Sequence, residues 1–354
     1  MADTGYIAAS CLLSTATAAA YVCGVVILQC CDMAESVAGM PKGSLSGYEA
    51  MAEAALGAKG KYALTVTKNL FFMGVIVVYF TFETEALGLW LPNFSAFSIR
   101  WFIVLPVFLG LTMLRDLTVV AKFAIVGVIA AFVQVLGLCC GGLFELFLSD
   151  RPGAPPKTYH GLAAELEVAK VGAALSTFVF GYGILPTLPT VRSQMANANE
   201  LPWALKTALY LVFTVYMIVM WIGYLAFGDG IDSNMITSFG GSTCQGLQCV
   251  IGSLSALAII CNLFISIPTF SYCIVSTLQN AGIMFSPMSP PNIVCRASLI
   301  IALCFVSYKL SYPQQIISIL SAICAVSANF LFPIGCYHCL LKQDISELRD
   351  EQSG

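Results

Sequence analysis

The sequence predicts an all-α, polytopic membrane protein. Hydrophobic residues make up 58% of the 354-residue chain and charged residues only 10%, against about 25% in a soluble domain. The mean hydropathy is +0.86. Apolar runs of about 20 residues, long enough to cross a bilayer as helices, recur along the whole length. Inside lipid every backbone polar group needs an internal partner, so such runs are helical.

Nine spans are expected, at roughly 6–30, 65–90, 99–114, 117–147, 169–190, 204–227, 248–279, 293–311 and 314–341. They make a single transmembrane domain over 1–354, with 342–354 a short cytosolic tail. The third is short, and the fourth opens on Asp116 and Lys122, which belong outside the hydrocarbon. Before the second span, Ser46 begins Ser-Gly-Tyr-Glu, an N-cap box that predicts a short interfacial helix over 47–57. Pro152, Gly153, Pro155 and Pro156 mark 149–160 as a loop, and Pro287, Pro290 and Pro291 mark 285–292. With 32–60 placed in the cytosol, only Arg100, Arg151, Lys157, Lys170 and Lys309 of the 16 Lys and Arg fall outside. The positive-inside rule then puts the N-terminus outside and the C-terminus inside. The chain opens without a basic n-region or a cleavage site, so an outer N-terminus suggests a further span upstream.

Composition excludes several classes. No basic patch with interleaved aromatics is present, so nucleic acid is not an expected partner. The only histidines, His160 and His338, have no metal-ligand spacing, and no metal is expected. No Asp lies clearly inside a span and neither His is placed for catalysis, so the protein is not expected to be an enzyme. Most of the 15 cysteines are scattered through apolar runs as small hydrophobes. Cys244 and Cys249 differ: they lie in a polar loop as C-x4-C around Gly246, a possible disulfide in an oxidising compartment.

The fifth span carries the strongest functional signal. It is interrupted at Phe180-Gly181-Tyr182-Gly183-Ile184-Leu185-Pro186, with Pro189 beyond. Glycine lets a ligand approach the backbone, and proline cannot donate to the helix ladder. A broken helix at membrane depth is tolerated where it faces protein or a polar cavity, and its half-helix ends suit the charged groups of an amino acid. The structural alternative is a proline kink that aids packing. Tyr182 lines the pocket or is ordinary core, and Ser176 and Thr177, one turn earlier, face it or bond back to the helix carbonyls.

Two further groups could couple an ion. Glu83 and Glu85 close the run Val77–Phe82 and precede Trp90. They lie about 200° apart on a helix, so at most one faces a given cavity, where it could carry a proton. Alternatively both mark the membrane–water boundary. Asn262, Ser266 and Thr269 share a face beside Pro268 in the seventh span and suit a Na⁺ site, a polar wall or interhelical hydrogen bonds. Gln134 and Asn329 read as helix-joining polar residues.

These residues sit in a family pattern. Phe180–Pro186, Met195, Asn199-Glu200-Leu201-Pro202-Trp203-Ala204-Leu205 and Gly223-Tyr224-Leu225-Ala226-Phe227-Gly228-Asp229 resemble the sixth and seventh helices of the amino acid/auxin permease family. Tyr48–Gly57 looks like that family's linker between helices two and three, and Val77-Val78-Tyr79 like the middle of helix three. The resemblance covers nearly the whole chain and implies a leucine-transporter-like helical bundle with an inverted repeat. It also implies a secondary active carrier of amino acids, coupled to protons or Na⁺, in a vacuolar, lysosomal or plasma membrane. The substrate set it points to is Tyr79, Ser176, Thr177, Phe180, Gly181, Tyr182, Gly183, Ile184 and Leu185, with no cofactor beyond the coupling ion. Against the family pattern, the chain is expected to start at the second helix and end after the tenth. Gly183 and Ile184 stand where a histidine is frequent. A non-transporting sensor or scaffold, or a truncated inactive relative, is the alternative.

Overall fold

A computed structural model describes residues 4–45, 47–113, 117–147, 158–161, 168–231, 247–280, 289–310 and 313–353. Among the described residues all regular structure is helical. Eight helices are long and apolar enough to cross a membrane: Tyr6–Val37, Tyr48–Trp90, Ile125–Phe147, Val168–Gln194, Ala198–Gly230, Cys249–Val275, Pro290–Lys309 and Gln315–Gln343. A shorter apolar helix, Ala96–Thr112, lies between the second and third. We number the helices α1 (Tyr6–Val37), α2 (Tyr48–Trp90), α3 (Ala96–Thr112), α4 (Leu117–Phe147), α5 (Val168–Gly181), α6 (Leu188–Gln194), α7 (Leu201–Phe227), α8 (Leu247–Asn280), α9 (Pro290–Lys309), α10 (Pro313–Leu320) and α11 (Phe332–Ser353).

The linker helix expected over 47–57 is the start of α2. It runs from Tyr48 into the span through residues 58–64, with one non-helical residue, Gly57 (φ 69°, ψ −169°). That left-handed φ is open to glycine and strained for other residues. Ser46, the proline loops at 149–157 and 285–288, Asp116, Cys244 and Gly246 lie outside the described residues.

The chain divides into two compact units. One comprises Met1–Ala9, Phe72–Val171 and Val215–Ile317. In it α4 lies along α8, and small residues set the approach: a Cβ on Gly137 would stand 2.1 Å from Ser255 Oγ, and one on Gly127 3.2 Å from Ile265 Cγ2. Ala86, Leu138, Ala256 and Ile260 form a buried cluster there, and Phe80 stacks on Phe108 at 4.3 Å between ring centroids. A Gly-Asp turn follows α7. Gly228 adopts φ +63°, and the turn brings the Asp229 carboxylate 3.1 Å from His160 Nε2. Tyr224 donates to Asp229 Oδ1 at 3.0 Å and accepts from the His160 amide at 2.7 Å.

The second unit comprises Ser10–Phe71, Gly172–Thr214 and Ser318–Gly354. Helix α1 approaches α7 closely at Gly24, where a Cβ would lie 2.7 Å from Leu205 Cδ2. The Tyr48 hydroxyl donates to the Ala328 carbonyl at 2.6 Å, joining the start of α2 to the segment before α11. That segment is π-helical twice over, at Ser321–Ala325 and Ser327–Leu331.

Candidate functional site

The interruption in the fifth span lies wholly in the second unit. Helix α5 stops at Gly181, a 3₁₀ turn occupies Leu185–Thr187, and α6 begins at Leu188. Pro186 and Pro189 each sit in the first turn of the element they enter, where a missing N–H costs nothing. The chain does not open into an extended stretch. It tightens, with amides reaching three residues back: Tyr182 to Val179 (3.2 Å), Gly183 to Phe180 (3.0 Å) and Thr187 to Ile184 (2.9 Å).

Each substrate candidate on this segment has a definite place. Tyr182 is buried, and its hydroxyl shares a 2.5 Å hydrogen bond with Thr17 on α1. Leu185 is buried, whereas Gly181 and Ile184 are exposed. Phe180 is half-buried with its ring edge-on to Phe71, centroids 5.5 Å apart. Gly183 packs beneath the same ring: a Cβ there would stand 2.4 Å from Phe71 Cζ. Ser176 is half-buried and its carbonyl accepts from the Ser321 hydroxyl. Thr177 is exposed and bonds back to the Ala173 carbonyl at 2.9 Å, the alternative its sequence position allowed.

The remaining candidates belong to the other unit. Tyr79 lies edge-on to Phe270 at 5.8 Å, and its hydroxyl hydrogen-bonds Ser266 within electrostatic reach of Tyr216. Ser266 donates to the Asn262 carbonyl at 2.8 Å, and Thr269 is half-buried. Glu83 is fully buried, and neither carboxyl oxygen has a hydrogen-bond partner. Glu85 is half-buried and within electrostatic reach of Arg100. Arg100, itself buried, donates to Thr84 Oγ1 (3.3 Å) and to the Ser307 carbonyl (2.8 Å). Cys249 is disulfide-bonded.

Two features escaped the sequence reading. The first is a buried ion pair in the second unit. Arg192, on α6, grips Glu35 of α1 with both terminal nitrogens at 2.9 Å, and one of them also reaches Asp32. Glu35 accepts in addition from the amides of Gly43 (2.9 Å) and Leu45 (2.8 Å). The segment just past the break is thus tied to the loop that follows α1. An acidic pair at one span end and an arginine at another were the available signal. The second is Asn329, which reads as helix-joining in the sequence. It is fully buried in the second π segment, and neither amide atom has a partner.

Eight membrane-length apolar helices, one of them broken at two prolines, define a polytopic helical membrane protein. Residues 1–351 match the transmembrane amino acid transporter protein family, and the chain belongs to it. It is therefore a multi-pass integral membrane protein. Similar curated proteins include three amino acid transporters of Arabidopsis thaliana. AVT1D is 22% identical over 318 residues, covering 84% of this chain and 54% of the relative. AVT1E is 21% identical over 309 residues, 83% and 55%. AVT1C is 25% identical over 220 residues, 59% and 36%. The chain spans about half the length of the first two.

Proposed function

We propose that the protein is a secondary active carrier of amino acids, driven by protons and working by alternating access about the break at Tyr182–Thr187. The observation that carries this reading is the break itself, a buried tyrosine and a 3₁₀ turn between two short helices in a family of amino acid transporters. Short segments joined by 3₁₀ turns re-aim more readily than one continuous ladder of i→i−4 bonds. Tyr182 and the exposed backbone at Gly181 are the proposed substrate contacts, with Ser176, Phe180, Gly183 and Leu185 shaping the wall.

Glu83 supports proton coupling. A lone charge in so dry a place costs several kcal/mol, and binding a proton removes it. Asn262, Ser266 and Thr269 are assigned to a polar wall near Tyr79, whose hydroxyl hydrogen-bonds Ser266. A vacuolar or lysosomal membrane, with an acidic lumen, suits such a device.

The test is uptake of labelled amino acids into proteoliposomes holding the full chain, with an imposed pH gradient. Wild type should accumulate substrate against its gradient when the pH difference is present. Glu83→Gln should keep exchange but lose the accumulation. Accumulation by Glu83→Gln equal to wild type rejects Glu83 as the proton site. Binding without uptake by wild type would favour the sensor alternative over the carrier.

A further inference from the structure

Buried polar groups in folded proteins almost always have partners, so one that does not calls for an explanation. Asn329 is such a group: fully buried, with both the carboxamide oxygen and nitrogen unpaired. Its neighbours do not share this state. The Ala328 carbonyl takes the Tyr48 hydroxyl, and Ser321 spends its hydroxyl on the Ser176 carbonyl of the broken span.

Asn329 lies in the second of two successive π-helical segments, Ser321–Ala325 and Ser327–Leu331. Such turns are rare and occur mostly where a helix departs from regularity for function. The second segment packs against the 3₁₀ turn Leu185–Thr187, the centre of the break. Asn329, Ser321, Tyr48, Thr17 and the break all belong to one compact unit.

We propose that Asn329 is a ligand-binding residue of the broken-helix site. Its carboxamide offers one donor group and one acceptor, the pair that a zwitterionic α-amino acid presents in reverse through its carboxylate and ammonium. In this conformation the side chain is closed off, 0% exposed, with the turn Leu185–Thr187 packed on its π segment. The turn at Leu185–Thr187 parts from the π segment to admit the ligand, and the amide is satisfied only then. This rests on the carrier reading.

A helix-joining asparagine and a ligand-binding one differ in what a same-sized apolar residue does. The experiment measures thermal unfolding of the purified full chain, alone and with an equimolar mixture of the twenty proteinogenic amino acids. Wild type should be stabilised by the mixture. Asn329→Leu should unfold at or above the wild-type temperature without the mixture, since nothing is unpaired by the change. With it, the stabilisation should vanish, or need about tenfold more of the mixture. Asn329→Ala, which cannot overpack, should lose the stabilisation as well. An Asn329→Leu protein that unfolds several degrees lower yet responds fully would mark a structural residue and overturn the assignment. So would an unchanged response in Asn329→Ala. If wild type neither responds nor transports, the carrier reading fails first, and the two failures are told apart.

Discussion

Replacing Arg192 by methionine should be among the most damaging single changes beside the break in the fifth span. The side chains of Arg192 and Glu35 are 3% and 2% exposed, and the guanidinium holds the carboxylate through two bonds of 2.9 Å. Methionine keeps the bulk of the arginine stem but abandons a buried carboxylate to two backbone amides, Gly43 and Leu45. Removing one partner of a buried pair costs about 3–5 kcal/mol, whereas exchanging both for apolar residues is often neutral. At about 1.4 kcal/mol per factor of ten, the unpaired state raises the opened population a hundredfold or more. Asp32 and Lys42 give the internal control. They stand 3.8 Å apart with side chains 45% and 60% exposed, so Lys42→Ala should shift stability by less than about 1 kcal/mol. The assay is unfolding of the purified protein followed by tryptophan fluorescence, on Arg192→Met, Glu35→Met, Lys42→Ala and the Arg192→Met/Glu35→Met double variant. Both single changes of the buried pair should lower the midpoint markedly, and the double should recover most of the loss. A double variant no more stable than the worse single would refute the reasoning, because the damage would then not arise from an abandoned charge.

Gly183→Ala would place a methyl 2.4 Å from Phe71 Cζ, well inside the 3.5–4.0 Å of a carbon contact, and overpacking of this kind costs about 1–3 kcal/mol. The companion Phe71→Leu should restore part of the stability of Gly183→Ala, and the non-additivity of the pair in thermal unfolding checks the contact. Gly228→Ala puts a side chain at φ +63° and should cost about 1–2 kcal/mol in the same measurement, more than an alanine at Gly88, where a Cβ meets open space.

The membrane-spanning architecture was legible because hydropathy is a property of each segment alone, and bilayer thickness fixes the length to look for. The break at Phe180–Pro186 was legible because glycine and proline act through their own backbone. The use made of Gly183 was not. Its sequence position suggested close approach of a ligand, whereas here the missing side chain makes room for Phe71, more than a hundred residues earlier. Glu83 and Glu85 were visible as carboxylates on opposite faces, but nothing local decides which face is buried. Tertiary packing chose Glu83. The Arg192–Glu35 pair lay beyond reach for a similar reason: its members are 157 residues apart, and each alone reads as a charge at a span end.

The paired π segments before α11 hold a stored rotation. Each π turn carries one residue more than the α-helical spacing allows, and a residue is worth about 100° around a helix axis. Relaxing either segment to α geometry would turn Phe332–Ser353 by that angle without lengthening the chain or sacrificing its hydrogen-bond ladder. The Pro333 carbonyl, now 3.7 Å from Cys30 Sγ, would face elsewhere, and a different stripe of α11 would meet α1. That turn would register as a change in the labelling rate of the Cys30 thiol.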